Sequence, residues 1–199
     1  MTTVLLVRHG HVAPATGSDL AGPPLSAQGR EQAEVTARAF GAGLFGPVDA
    51  VVSSTMLRAR ETAEPLAKAL GLVPSFDERL VELDHGWTVY GTGVESYPTR
   101  CAAYEALSQG RWGTQTYDPQ AFANRVETAV HDVVAAHPTG TVAVVCHGGV
   151  VSAYLARVLG IGQVVFFVPD NCSVTRVLAE QDGYREMVSA NETLHLRDP

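Results

Sequence analysis

Three short apolar runs, Thr3 to Val7, Ala50 to Ser53 and Thr141 to Cys146, constrain this chain more than any other feature. Each is rich in valine, leucine or alanine and shows little polar alternation, the pattern of strands covered on both faces. Helix-length stretches separate them. Ser26 is placed to N-cap a helix through Phe40, with Ala33, Val35, Ala37 and Phe40 as a loose apolar stripe. Arg58 to Leu70 reads as a helix stopped by Gly71, and Pro65 is expected to kink or restart it. Over Phe122 to Ala136, Val126, Ala129, Val130, Val133 and Val134 share one helical face, and Pro138 closes the segment. Gly149 to Leu159, stopped by Gly160, reads as another helix. Strands alternating with helices predict an α/β fold, a three-layer α/β/α sandwich, and 199 residues suit a single domain over 1–199.

The three strands share something folding does not require. The first runs into Arg8-His9-Gly10, the second leads through Ser53-Ser54 to Arg58, and the third enters His147-Gly148-Gly149 at a helix start. Ligands of open α/β sheets bind at the carboxyl ends of the strands. Parallel neighbours would therefore bring Arg8, His9, Arg58 and His147 together. Two guanidinium forks nearly neutralise a phosphate monoester and expose its phosphorus. The amides of Gly148 and Gly149, at a helix N-terminus, are suited to an anion. Neutral imidazole is a capable nucleophile, and adjacent arginines disfavour its protonation. Gly10 is expected to let the backbone pack close to the His9 ring, with a carbonyl fixing its tautomer. Any one of these residues has an ordinary structural explanation; the same kind of group at the same end of three strands does not.

A departing alcohol also needs a proton. Glu82, after an apolar stretch in Leu80-Val81-Glu82-Leu83-Asp84-His85-Gly86, would be held partly protonated by apolar neighbours, and Asp84 competes for the role. From about residue 86 to 122 the composition changes. Both tryptophans and four of the six tyrosines fall here (Trp87, Tyr90, Tyr97, Tyr104, Trp112, Tyr117), among many Gly, Thr and Pro. This segment reads as a cap or insertion over one sheet edge. Trp87, Tyr90, Tyr97, Tyr104 and Trp112 are candidate walls for the leaving group, and His11, Arg100 and Arg111 candidate contacts to it.

The formal charge of -7, with no offsetting basic block, argues against nucleic-acid or anionic-membrane partners. No apolar run reaches the length of a membrane span, and the N-terminal stretch lacks the basic leader of a signal peptide, so a cytoplasmic protein is expected. Cys101, Cys146 and Cys172 are too few and too scattered for a disulfide framework or zinc site, and buried free thiols are expected. No metal and no cofactor is required by the chemistry above. The expected partner is a small phosphorylated metabolite; a homodimer is left open.

With these residues in order, the chain resembles the histidine phosphatase superfamily, the phosphoglycerate-mutase-like enzymes. The likeness covers Leu6 to Gly10, Pro24-Leu25-Ser26 with Gly29 to Ala33, Ser53-Ser54 with Leu57-Arg58-Ala59 and Glu61-Thr62-Ala63, Leu80 with Glu82 to Gly86, and Cys146 to Val150. It implies a mostly parallel sheet containing an antiparallel strand near Asn171 to Val177. It further implies a phosphohistidine on His9, phosphate held by Arg8, Arg58 and His147, and Glu82 as the proton donor. Two departures stand out. His11 and Ala15 replace the acidic or amide residue and the asparagine of many relatives, with Thr16 or Ser18 as substitutes for the lost hydrogen bonding. The aromatic segment also lacks the Lys/Arg cluster of the mutases. The missing cluster and the short length favour the phosphatase branch, a histidine-type acid phosphatase acting on a small ester. The rivals are a mutase-type isomerase, a phospho-ligand binding module without turnover, and hydrolysis of a phosphohistidine protein.

Overall fold

The computed structural model describes residues 1–14, 22–87 and 97–197. Tyr90, and the Ala15, Thr16 and Ser18 positions, lie outside the described residues. In chain order the elements begin with β1 (Thr2–Arg8), α1 (Ala27–Gly41), β2 (Ala50–Ser54), α2 (Leu57–Leu70) and β3 (Ser75–Asp77). The aromatic segment contributes α3 (Arg100–Ser108) and the hairpin β4 (Arg111–Trp112) and β5 (Gln115–Thr116). The chain then forms α4 (Pro119–Ala136), β6 (Gly140–Cys146), α5 (Gly148–Leu159), β7 (Val174–Ala179) and β8 (Arg185–Glu192).

The main sheet has six strands in the order β3-β2-β6-β1-β7-β8. β3, β2, β6 and β1 pair in parallel, β7 runs antiparallel to β1, and β8 antiparallel to β7. Successive strand residues point to opposite faces, so β1 and β6 must be apolar throughout to serve two cores. Leu5, Val7, Ala143 and Val145 pack with Ala37, Phe40, Ala59, Ala63 and Leu66 of α1 and α2. Val4, Leu6, Val142 and Val144 pack on the other face with Val126, Val130, Val151 and Leu155 of α4 and α5. This is the expected α/β/α sandwich, with the mixed sheet the resemblance implied.

Helix ends follow local chemistry. Ser26 caps α1 by accepting from the Gly29 amide at 3.0 Å, and α2 and α5 stop at Gly71 and Gly160, with φ of 68° and 67°. α4 starts earlier than its apolar stripe, because Asp118 caps it and Pro119 occupies its first turn. Two expectations are corrected. α2 does not restart at Pro65 but runs through it, since flanking turns and its packed face hold the helix despite the missing amide. Cys101 is exposed on α3, whereas Cys146 and Cys172 are buried. Among the described residues, no helix is long and apolar enough to cross a membrane.

Candidate active site

β1, β6 and β2 end side by side, and that register assembles the site. The His9 amide donates to the Cys146 carbonyl at 2.9 Å, carrying the β1–β6 ladder one residue past Arg8. The Asn171 side-chain amide donates to the His9 carbonyl at 2.9 Å, and the Cys172 amide donates to the Arg8 carbonyl at 3.0 Å. His9 is thus fixed from both sides and only 3% exposed.

Its ring is oriented as well as placed. His9 Nδ1 lies 2.8 Å from the Gly10 carbonyl, which can only accept, so Nδ1 carries the proton and Nε2 the lone pair. The imidazole pKa is held well below its usual range, chiefly by burial and then by the charges of Arg58 and Arg8. Gly10 has a different reason from the one expected. A Cβ there would meet the Gly29 carbonyl oxygen at 2.5 Å, so the glycine allows the loop to pack against the first turn of α1.

The rings of His9 and His147 have centroids 5.1 Å apart. His147 caps α5 and is fully buried, and its Nε2 lies 2.8 Å from the Ser54 hydroxyl at the end of β2. That hydroxyl also accepts from the Met56 amide at 3.3 Å. Nδ1 of His147 has no hydrogen-bond partner among the described residues. Burial, followed by the Arg58 charge, keeps this imidazole neutral.

Arg58, in the first turn of α2, is 1% exposed and donates to both carboxylate oxygens of Asp84, at 3.0 and 3.2 Å. Arg8 donates to the Pro169 carbonyl. Asp84, the rival acid in the sequence, is therefore an ion-pair partner. Glu82 takes two amide bonds instead, from Leu83 to Oε1 at 2.9 Å and from Gly149 to Oε2 at 2.8 Å. Its pKa is raised, first by burial and second by the Asp84 charge, against the lowering effect of those amides. The Gly149 amide, expected to face an anionic ligand, is thus committed to Glu82.

A cavity of about 240 Å³ is lined by Arg8, His9, Arg58, Glu82, Asp84, Gly148 and Gly149, whereas His147 packs against His9 and does not line it. Leu83, Trp87, Tyr104, Leu107, Trp112, Val165 and Val168 complete the lining. Of the expected leaving-group contacts, Trp87, Tyr104 and Trp112 reach the cavity. Tyr97 stacks on Trp112 with centroids 5.5 Å apart and lines an adjoining cleft, as does Arg100. His11 bonds to Ser26 at 2.8 Å and Arg111 to Gln109, and neither lines the cavity. Sequence reading missed the Asp84–Arg58 pair, the Ser54–His147 bond and the aliphatic walls. Only Ser54 carried a signal, as part of the quoted Ser53-Ser54 motif. Among the described residues, no cluster of three His, Cys, Asp or Glu side chains is arranged to hold a metal ion.

A profile of the histidine phosphatase superfamily (branch 1) matches residues 4–193. A probable phosphoglycerate mutase of Citrobacter koseri is 41% identical over 90 residues, covering 43% of this chain and 40% of that protein. The chain matches well under half the length of its curated relatives. A mycobacterial glucosyl-3-phosphoglycerate phosphatase, solved with VO3, superposes with a TM-score of 0.76 at 25% identity, over 96% of this chain and 99% of that one. A phosphoserine phosphatase from Entamoeba histolytica, solved with 3-phosphoglyceric acid, shares the fold with a TM-score of 0.77 at 21% identity, over 99% and 100% of the two chains.

Proposed function

The chain belongs to the histidine phosphatase superfamily (branch 1), and from that premise we propose that it is a phosphomonoesterase working through a phosphohistidine on His9. The observation that carries this reading is the Nδ1 bond from His9 to the Gly10 carbonyl. It leaves the Nε2 lone pair on a neutral ring that lines a cavity with Arg8 and Arg58.

In the first step Nε2 attacks phosphorus in line, the ester P–O bond breaks, and Glu82 gives its proton to the departing oxygen. In the second step the Glu82 carboxylate takes a proton from water as the water oxygen attacks phosphorus. The P–N bond breaks, phosphate leaves, and both groups return to their starting states. Arg8, Arg58, the Gly148 amide and His147 stabilise the equatorial oxygens throughout. The steps as drawn need no metal and no cofactor, and the single domain with its cap and a cytoplasmic setting belong to the same proposal.

The raised pKa of Glu82 supports an acid phosphatase over a binding module, which has no use for a proton donor. The mutase likeness of the curated relatives favours an isomerase as the second reading. That reading requires a bisphosphorylated primer and little net phosphate release. Assaying phosphate release with and without such a primer, on the wild type and His9→Ala, separates the two. Primer-independent release that disappears in His9→Ala supports the phosphatase; primer-dependent interconversion without release supports the mutase.

A further inference from the structure

Resting on the reading of His9 as phosphoryl acceptor, we infer that the departing alcohol is apolar, aryl or alkyl, and carries no second anionic group. Among the described residues the cavity's only cations are Arg8 and Arg58, which share it with His9, where the phosphoryl group sits. The rest of its lining is mostly apolar or aromatic: Leu83, Trp87, Tyr104, Leu107, Trp112, Val165 and Val168.

Charge argues the same way. Arg58 is already matched by Asp84 at 3.0 Å, so a phosphate dianion more than balances the remaining positive charge. A carboxylate on the alcohol would then meet no cationic side chain among the described lining residues other than the two arginines at the phosphate, which is unfavourable. Residues 15–21 and 88–96 contain no Lys, Arg or His, so they have no cation to offer it. Arg100 stands outside this wall in the adjoining cleft, exposed to solvent and bonded to the Tyr104 hydroxyl at 3.1 Å. An exposed arginine adds little to the binding of an anion. An apolar group, by contrast, gains from removal of its own surface and that of the walls from water, and a ring gains further from contact with Trp87, Tyr104 and Trp112.

The test compares benzyl phosphate, methyl phosphate and 3-phosphoglycerate on the unmodified protein, by phosphate release. All three expel an alkyl alkoxide, so differences in kcat/KM report chiefly on the leaving-group side of the cavity. Benzyl phosphate is expected to exceed 3-phosphoglycerate by at least about tenfold, one apolar side chain's worth of discrimination or more. Trp112→Ala is expected to lose about tenfold on benzyl phosphate and clearly less on methyl phosphate. A preference for 3-phosphoglycerate, or equal losses on both esters in Trp112→Ala, would overturn this inference while leaving phosphatase chemistry standing. No release from any of the three would remove the phosphatase reading and this inference with it.

Discussion

The amide of Gly149 donates to Glu82 Oε2 at 2.8 Å, and a Cβ at Gly149 would lie 2.3 Å from Oε1 of the same carboxyl. The first turn of α5 therefore both holds the Glu82 carboxyl and depends on a missing side chain to admit it. The obstructing atoms in a variant would be the end of a flexible side chain and Leu83 Cδ2 at 3.0 Å. Gly149→Ala should accordingly displace Glu82 at modest cost in stability. A fall in kcat of roughly 10²-fold or more on alkyl esters is expected, the usual range for a mispositioned general acid. Steady-state kinetics beside a thermal melt check this, and a folded variant with unchanged kcat would contradict it.

Glu82→Gln keeps the shape and removes the proton. Alkyl phosphates should lose roughly 10²- to 10⁴-fold in kcat, whereas p-nitrophenyl phosphate, whose leaving group needs less protonation, should lose far less in the first step. The pH profile carries the same signature. The wild-type reaction needs protonated Glu82 and neutral His9, so kcat/KM should decline as pH rises through the raised Glu82 pKa. It should hold on the acid side until the lowered His9 pKa is reached. Glu82→Gln should abolish the alkaline decline.

Asp84→Asn removes the carboxylate that matches Arg58 at 3.0 and 3.2 Å. With that negative charge gone a phosphate dianion meets more net positive charge, so KM for the phosphate ester should fall, by up to roughly tenfold (~1.4 kcal/mol). Asp84 also raises the Glu82 pKa, so its neutralisation should move the alkaline decline to lower pH. A shift to higher pH would mean that Asp84 does not act on Glu82 through charge.

Stability should fall on the acid side for a related reason. His9 and His147 both have pKa values held well below the usual imidazole range by burial. The unfolded chain, titrating near about pH 6.5, binds protons that the folded chain refuses. The stability tied to these neutral rings is present above that pH and declines as pH falls toward the folded values. The slope is up to about 1.4 kcal/mol per pH unit for each ring. Urea midpoints between pH 7.5 and 5 measure it, and His147→Asn should flatten the decline.

What the sequence disclosed and what it concealed have physical causes. β1, β2 and β6 were legible because burial on both faces leaves a continuous apolar run. β8 was not, since Arg185 to Glu192 is an edge strand with one polar face, and β3 is only three residues long. Arg8, His9, Arg58 and His147 were legible because parallel strands bring their carboxyl ends together. The Ser54–His147 bond spans 93 residues and the Arg58–Asp84 pair 26, and no local pattern encodes such contacts. In the aromatic segment, composition singled out Trp87, Tyr104 and Trp112 but carries no direction, so Arg111 was expected at a cavity it does not line, as was His11 near the N-terminus. The Glu82 choice came from family resemblance, and the bond from Asp84 to Arg58 is the physical argument for it over Asp84.

The phosphohistidine is the claim on which everything else depends. The most direct measurement is rapid acid-free quenching of the protein during turnover of a ³²P-labelled ester, followed by peptide mapping. The expected result is an acid-labile, base-stable label on His9, absent from His9→Ala, which should also lack turnover. A label on another residue, or a folded His9→Ala that still releases phosphate at near wild-type rate, would contradict it.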